Sequence, residues 1–142
     1  MKRLTELIQK YKQTILYLIF GVLTTAVNLA TYTLFVELFR VEMTISNSIA
    51  WVVGVIFAFV TNRRYVFESG ETGARAIARQ FLSFTAGRAV SGVIEISLPT
   101  LLFNLGLTAE LFGVEGSVAK ISVSVIVIIL NYLFSRFIVF KK

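Results

Sequence analysis

The chain has 142 residues, of which 56% are hydrophobic and only 15% charged, with a mean hydropathy of +0.81. Soluble domains run at roughly 45–50% apolar and about 25% charged, so a soluble globular protein is excluded, and the long apolar blocks identify an integral membrane protein. There is no Cys, no His and no Asp. Thiolate and imidazole metal sites, disulfides, Ser-His or Cys-His nucleophile pairs and histidine proton shuttles are therefore ruled out, and the scattered Glu residues do not form a paired-carboxylate or metal cage. No metal or cofactor is implied.

Taken in order, the chain opens with the basic residues Lys2, Arg3, Lys10 and Lys12, followed by a segment, 13–36, without charge. That run exceeds the 7–15 residues of a signal-peptide core and no A-x-A-like cleavage site follows it, so it is expected to remain as a membrane span at about 14–39. Arg40 and Glu42 lie in a short connection to a second uncharged segment, 43–62. The two form a helical hairpin. In the segment 68–80, Gly70 and Gly73 mark a turn, and Arg75 and Arg79 at i, i+4 begin a helix along the headgroup layer, an interfacial lead-in or a lipid-phosphate contact. A third apolar segment at about 81–103 carries Arg88 and Glu95 inside it, and Pro99 is expected to kink its outer end. An acidic connection with Glu110 and Glu115 leads to a fourth segment, about 116–140, with Lys120 near its start and Arg136 near its end.

The Lys and Arg distribution predicts the orientation. The N-terminal flank, the 63–79 connection (Arg63, Arg64, Arg75, Arg79) and the C-terminal end (Arg136, Lys141, Lys142) are basic, whereas the opposite side holds only Arg40 and Lys120. The expected architecture is an all-α integral membrane protein of four transmembrane helices with both termini cytoplasmic, forming one membrane domain over 1–142. A net charge of +6 follows from this topology and from attraction to anionic lipid, without nucleic acid.

The exits of the second and fourth helices match at a spacing of 73 positions, Asn62-Arg63-Arg64-Tyr65-Val66-Phe67 against Ser135-Arg136-Phe137-Ile138-Val139-Phe140. Arg at a cytoplasmic helix end complements the macrodipole, and the aromatics suit the interface. Positive-inside anchoring alone produces Arg beside Phe; duplication of a two-helix unit gives two parallel hairpin repeats, 1–67 and 75–142. The first and third helices match more weakly, Ile19-Phe20 against Ser83-Phe84, which sets Thr24 against Arg88 and Thr31 against Glu95.

A charge near the bilayer centre costs at least about 2.5–3.5 kcal/mol, so Arg88 and Glu95 carry the most information. Seven residues apart is nearly two turns, which places them on one helix face with Ser91 and Gly92. They form either a structural ion pair or an anion site in which Arg88 binds phosphate and Glu95 is its counter-ion or a hydrogen-bond acceptor. Asn28 and Asn131 either glue helices together or meet substrate. Lys120 snorkels at the outer interface or contacts substrate. Asn62 with Arg63 stands at a helix end, where anchoring is the default.

Three segments, FGVLTTAVNLATYTLF (20–35), FVTNRRYVF (59–67) and NYLFSRFIVF (131–140), together with the length, resemble the GtrA-like family, small four-helix membrane proteins associated with bacterial cell-surface polysaccharide and cell-wall glycosylation. The resemblance spans nearly the whole chain, and the NRRYVF element is its most specific part. It implies a multi-pass protein of the bacterial cytoplasmic membrane that translocates a polyprenyl-phosphate-linked sugar, such as undecaprenyl-phosphate-glucose, to the outer leaflet for a membrane glycosyltransferase. Arg88 then carries the phosphate, Arg63, Arg64 and Arg136 gather the headgroup, and Glu95, Asn28, Asn131, Lys120 and the Asn62 amide receive hydroxyls or phosphate. One departure is Ser135 where the second helix has Asn62. No Walker A pattern is present, so transport is expected to be passive. The competing readings are a non-transporting subunit that positions a glycosyltransferase, and a proton-coupled small multidrug exporter using Glu95, which the neighbouring Arg88 and the strong basic bias oppose. An enzyme is disfavoured. Four short helices enclose little volume, so a homodimer is also expected.

Overall fold

The computed structural model describes residues 1–109, 113 and 117–141. Its helices are α1 (Lys2–Lys10), α2 (Lys12–Thr33), α3 (Met43–Thr61), α4 (Ala74–Asn104) and α5 (Ser117–Phe134), and three π-helical turns, Leu34–Leu38, Asn62–Val66 and Ser135–Val139, extend α2, α3 and α5. Among the described residues, four spans are long and apolar enough to cross a membrane: Lys12–Leu38, Met43–Val66, Ala74–Asn104 and Val118–Val139. Helices satisfy their own backbone groups, which is what lets such apolar segments stay in lipid. The protein is a multi-pass membrane protein. Its chain divides into two compact units, residues 1–72 and 73–141.

In the first unit α1 buries no residue. Its exposed Leu4, Leu7, Ile8 and Tyr11 follow the i, i+3, i+4, i+7 spacing of one helix face, opposite Lys2, Glu6 and Gln9. A single non-helical residue, Tyr11, separates α1 from α2. The α2–α3 pair closes on small residues. Ser46, Ala50, Gly54 and Ala58 are all buried and stand four apart, the spacing of a packing ridge and of the small-xxx-small interfaces of membrane helices. Around Gly54 the helices approach so closely that an added Cβ would lie 3.6 Å from Asn28 Nδ2 and 3.8 Å from Thr24 Cγ2.

The second unit buries Ala119, Val123, Val127, Asn131 and Ser135 along α5 and its π-helical turn, the positions 73 beyond Ser46, Ala50, Gly54, Ala58 and Asn62. On the leading helices the buried positions correspond at a different spacing from the expected one. Tyr17 packs on Phe67 with ring centroids 6.4 Å apart, and Phe84 on Phe140 at 6.1 Å; Thr24 and Ser91 are each 7% exposed. These pairs are 67 positions apart, not 64. Thr24 therefore matches Ser91 rather than Arg88, and Glu95 matches Asn28 rather than Thr31. The likeness of Phe20 to Phe84 does not fix the register, because aromatics recur along the spans.

Span ends also differ from the expected ones. The third starts at Ala74, capped by Gly73 at φ 99°, a left-handed conformation that suits glycine. Arg75 and Arg79 therefore belong to the same continuous helix as Arg88, which also runs unbroken through Pro99. The second continues through Arg63 and Arg64 to Val66. Glu110 and Glu115, expected in an acidic outer connection, lie outside the described residues.

The NRRYV and SRFIV elements are the π-helical turns themselves. Phe67 N–H donates to Asn62 O at 2.9 Å and Phe140 N–H to Ser135 O at 2.8 Å, the i→i+5 pattern. In an α-helix five residues would rotate Phe67 about 140° away from Asn62. The wider turn keeps both on the packed side, with Asn62 5% and Phe67 2% exposed, and Ser135 and Phe140 each 3%.

Candidate functional site

Arg88 sits on α4 at the edge of the stripe that packs against α5. That stripe consists of Gln80, Phe84 and Ser91, all buried; at 100° per residue Arg88 lies about 60° and Glu95 about 40° to one side of its centre. Arg88 is half-buried and Glu95 exposed. The α4 helix of 31 residues is about 46 Å long against a hydrocarbon core of about 30 Å. Arg88 is fourteen residues, about 21 Å, from the α4 start, so even with the whole overhang at that end it remains inside the apolar layer.

The two charges do not neutralise one another. Lys12 Nζ pairs with Glu68 Oε1 at 3.2 Å, whereas no salt bridge joins Arg88 to Glu95. Arg88 instead places its guanidinium carbon 6.0 Å from the Phe84 ring centroid, a cation–π contact, and Glu95 Oε1 accepts from Ser124 Oγ at 3.3 Å. Glu95 is therefore not the counter-ion of Arg88. Helical side chains lean toward the N-terminus, so Arg88 leans away from Glu95, and a rise of about 10.5 Å between them stays open.

The remaining candidates divide between the units. In the first, half-buried Asn28 faces Gly54 across the helix pair. Asn62 donates through Nδ2 to Ala58 O at 2.6 Å, while its Oδ1 is buried without a hydrogen-bond partner. Arg63, in the same π-helical turn, donates to Glu71 O, and exposed Arg64 lies 5.6 Å from the Tyr65 ring. In the second, Asn131 is buried at 8% exposure, Lys120 is exposed, and Arg136 donates to Tyr132 Oη at 3.1 Å beside the Phe137 ring.

Composition and motif reading did not identify a cavity of about 550 Å³ between α4 and α5, lined by Gly87, Val90, Ser91, Asn131, Phe134 and Ile138 among others. Its walls are apolar apart from Ser91 and Asn131. At its edge the Phe134 ring packs directly on the α4 backbone, since a Cβ at Gly87 would come 2.6 Å from Phe134 Cε1. The small-residue ridge of α3 has a signal in the sequence, Ser46, Ala50, Gly54 and Ala58 at a spacing of four.

Four apolar spans, with an arginine at membrane depth that has no carboxylate paired to it among the described residues, define a multi-pass membrane protein. The chain belongs to the GtrA/DPMS transmembrane domain family, whose model matches residues 16–140. It is 39% identical over 127 residues to a cell wall teichoic acid glycosylation protein, GtcA, of Listeria innocua, and 38% identical to GtcA of Listeria monocytogenes serovar 1/2a, in each case over 89% of this chain and 83% of the relative. An uncharacterized Bacillus subtilis membrane protein, YwcD, is 30% identical over 89% of this chain and 95% of its own.

Proposed function

We propose that this protein is a flippase that carries a polyprenyl-phosphate-linked monosaccharide, such as undecaprenyl-phosphate-glucose, from the cytoplasmic to the outer leaflet, where a membrane glycosyltransferase transfers the sugar to teichoic acid or another surface polysaccharide. The observation that carries this reading is Arg88, half-buried inside the apolar layer with no carboxylate paired to it among the described residues. An isolated cation there is costly unless an anion meets it, and a lipid phosphate in transit supplies one. The relatives named for teichoic acid glycosylation support the cargo.

The two units are copies of one two-helix element, with the basic flanks cytoplasmic. Arg63, Arg64 and Arg136, in or beside the π-helical turns, gather the headgroup at that side; Arg88 lowers the barrier to the phosphate as it passes. Asn28, Asn62, Asn131, Glu95 and Lys120 offer hydrogen bonds to sugar hydroxyls and phosphate oxygens along their own helices. The chain itself performs no bond-breaking step, and consumption of the sugar lipid outside draws transport forward.

Reconstitution in liposomes with the sugar lipid, followed by outer-leaflet accessibility over time, tests this directly. Arg88→Ala is expected to slow transport about tenfold or more, equivalent to about 1.4 kcal/mol on the barrier, and Arg88→Lys to retain part of it. Undiminished transport in Arg88→Ala sinks the role of Arg88. A wild-type protein that is folded and inert on its own points instead to a subunit that positions a glycosyltransferase.

A further inference from the structure

Independently of the translocation reading, we infer that α1 lies in the headgroup layer on the basic side of the membrane as an amphipathic helix whose partner is anionic phospholipid. None of its residues, Lys2–Lys10, is buried, and Leu4, Leu7, Ile8 and the adjoining Tyr11 are exposed. At 100° per residue these four apolar side chains fall within one sector of about 100°. Arg3 and Lys10 border that sector, about 40° and 60° from Leu7, while Lys2, Glu6 and Gln9 take the opposite face. Lys10 reaches along the rim, with Nζ 5.6 Å from the Tyr11 ring centroid. Cations at the rim of an apolar face fit a helix lying flat in the interface, its aliphatic stems in the acyl boundary and its charges among phosphates. Glu6 is the one acid among residues 1–12, against Lys2, Arg3, Lys10 and Lys12.

Position and charge select this partner. The uncharged part of the first span, 13–36, is about 36 Å long against a hydrocarbon core of about 30 Å, so Lys12 marks the edge of the apolar layer. Leu4 is eight residues further out, and a straight continuation would carry it about 12 Å beyond Lys12, past the roughly 5–8 Å of headgroups on that side and into water. The helix is broken where a turn into the headgroup plane is needed. Tyr11, at φ −104° and ψ 15°, departs from the helical ψ of about −42°; one helix ends on it, Tyr11 N–H donating to Leu7 O at 3.0 Å, and the next starts from it, Ile15 N–H donating to Tyr11 O at 2.9 Å. Lys12 pairs with Glu68, which follows the π-helical turn that holds Arg63 and Arg64, so α1 shares a side of the membrane with those arginines, the side that the Lys and Arg bias makes cytoplasmic. A second copy of α1 would set like charges along a shared seam, and a zwitterionic surface would cover the apolar face while leaving the rim unmatched. Anionic headgroups satisfy both.

The chain has no cysteine, so single labels can be placed on the full-length protein. Leu7→Cys and Gln9→Cys, on the apolar and polar faces of α1 and both at exposed positions, each carry an environment-sensitive fluorophore in nanodiscs of phosphatidylcholine alone or of phosphatidylcholine with phosphatidylglycerol, and brominated acyl chains quench whichever label enters the acyl boundary. In the mixed discs the label at 7 is expected to be quenched at least about threefold more than the label at 9, and in phosphatidylcholine alone that ratio is expected to fall by about half or more. Adding Arg3→Gln and Lys10→Gln to the Leu7→Cys protein should remove the difference between the two lipid compositions; both positions lie on a helix that buries no residue, so the spans keep their fold. Equal quenching at 7 and 9 in the mixed discs overturns the inference, as does equal quenching at 7 in both compositions, which would make α1 an anchor indifferent to lipid charge. Protection of position 7 that appears only in discs holding two copies of the protein overturns it in favour of a second chain. None of these readouts involves flux of a sugar lipid, so failure of translocation leaves the inference standing and its own failure leaves translocation standing.

Discussion

Gly54 and Gly87 both stand on spanning helices and both face a neighbouring helix, yet alanine is expected to have opposite effects at the two sites. An added methyl at Gly54 meets Asn28 Nδ2 at 3.6 Å, Asn28 Cβ at 3.7 Å and Thr24 Cγ2 at 3.8 Å, ordinary contact distances, so Gly54→Ala gains packing and loses glycine's backbone entropy cost. The expected change is a stabilisation of about 0.5–1 kcal/mol. At Gly87 the same methyl comes 2.6 Å and 2.7 Å from Phe134 Cε1 and Cδ1, about 1 Å inside the optimal carbon–carbon separation. The ring must shift, an overpacking cost of about 1–3 kcal/mol that offsets or exceeds the same helix gain. Unfolding titrations in mixed detergent micelles should therefore separate the variants by about 1–3 kcal/mol, Gly54→Ala being the more stable. Adding Phe134→Ala to each Gly87 form should show a coupling of that size and sign, because it removes the clashing ring. Equal stability of the two glycine variants, or a Gly87→Ala protein more stable than wild type by the full helix gain, would refute the packing argument.

Glu42 caps α3 by accepting from the Thr44 and Ile45 amides at 3.1 and 3.2 Å, and these bonds, Thr44 foremost, hold its carboxyl below its ordinary value of 4.5. Because the folded form prefers the carboxylate, this contribution is present above the ordinary carboxylate range and is lost as pH falls through the depressed value; the thermal midpoint of Glu42→Gln should therefore change less than that of wild type between pH 5 and 3. The Lys12–Glu68 pair is 59% and 60% exposed, so Lys12→Met should cost no more than about 1 kcal/mol, with the loss shrinking in high salt. Asn62→Leu removes an amide oxygen buried without a partner and should raise stability by about 1 kcal/mol while slowing transport, a split that separate unfolding and flux measurements would reveal.

The number of spans was legible because bilayer thickness imposes a length on apolar segments that no local preference can hide. Arg88 stood out for the same reason, as a charge where charge is expensive. What the residues did not reveal is instructive in physical terms. A π-helical turn adds a residue to a turn without altering hydrophobicity, so the sequence of Asn62–Val66 and Ser135–Val139 shows recurring helix exits but not the wider turns that keep Asn62 and Phe67, or Ser135 and Phe140, on one side. Span ends moved because arginine does not terminate a helix: Arg63 and Arg64 continue α3, and Arg75 and Arg79 belong to α4. The Arg88–Glu95 pairing was drawn from face alone, whereas reach along the axis decides it, and Ser124 takes the carboxylate instead.

The corrected correspondence also changes what the polar residues mean. When Asn28 matches Glu95 and Phe20 matches Gly87, the leading helices of the two units differ at the points where chemistry would reside: an amide against a carboxylate, a stacked ring against an open cavity, and Gly21 against Arg88. The packed positions differ far less, since Thr24 and Ser91 are both buried hydroxyls, each returning a hydrogen bond to its own helix, at 2.7 Å to Phe20 O and 3.0 Å to Arg88 O. Packing thus constrains both units alike while the second alone acquires charge and space. A helix that carries an unneutralised arginine and a widened cavity sacrifices stability that its counterpart keeps, and such a loss persists where a ligand restores it. Substitution of Arg88 by the Gly21 residue of the first unit, as Arg88→Gly combined with Gly87→Phe and Phe134→Thr, should accordingly give a protein at least as stable as wild type and unable to move the sugar lipid; a variant less stable than wild type would show that charge and cavity serve the fold itself.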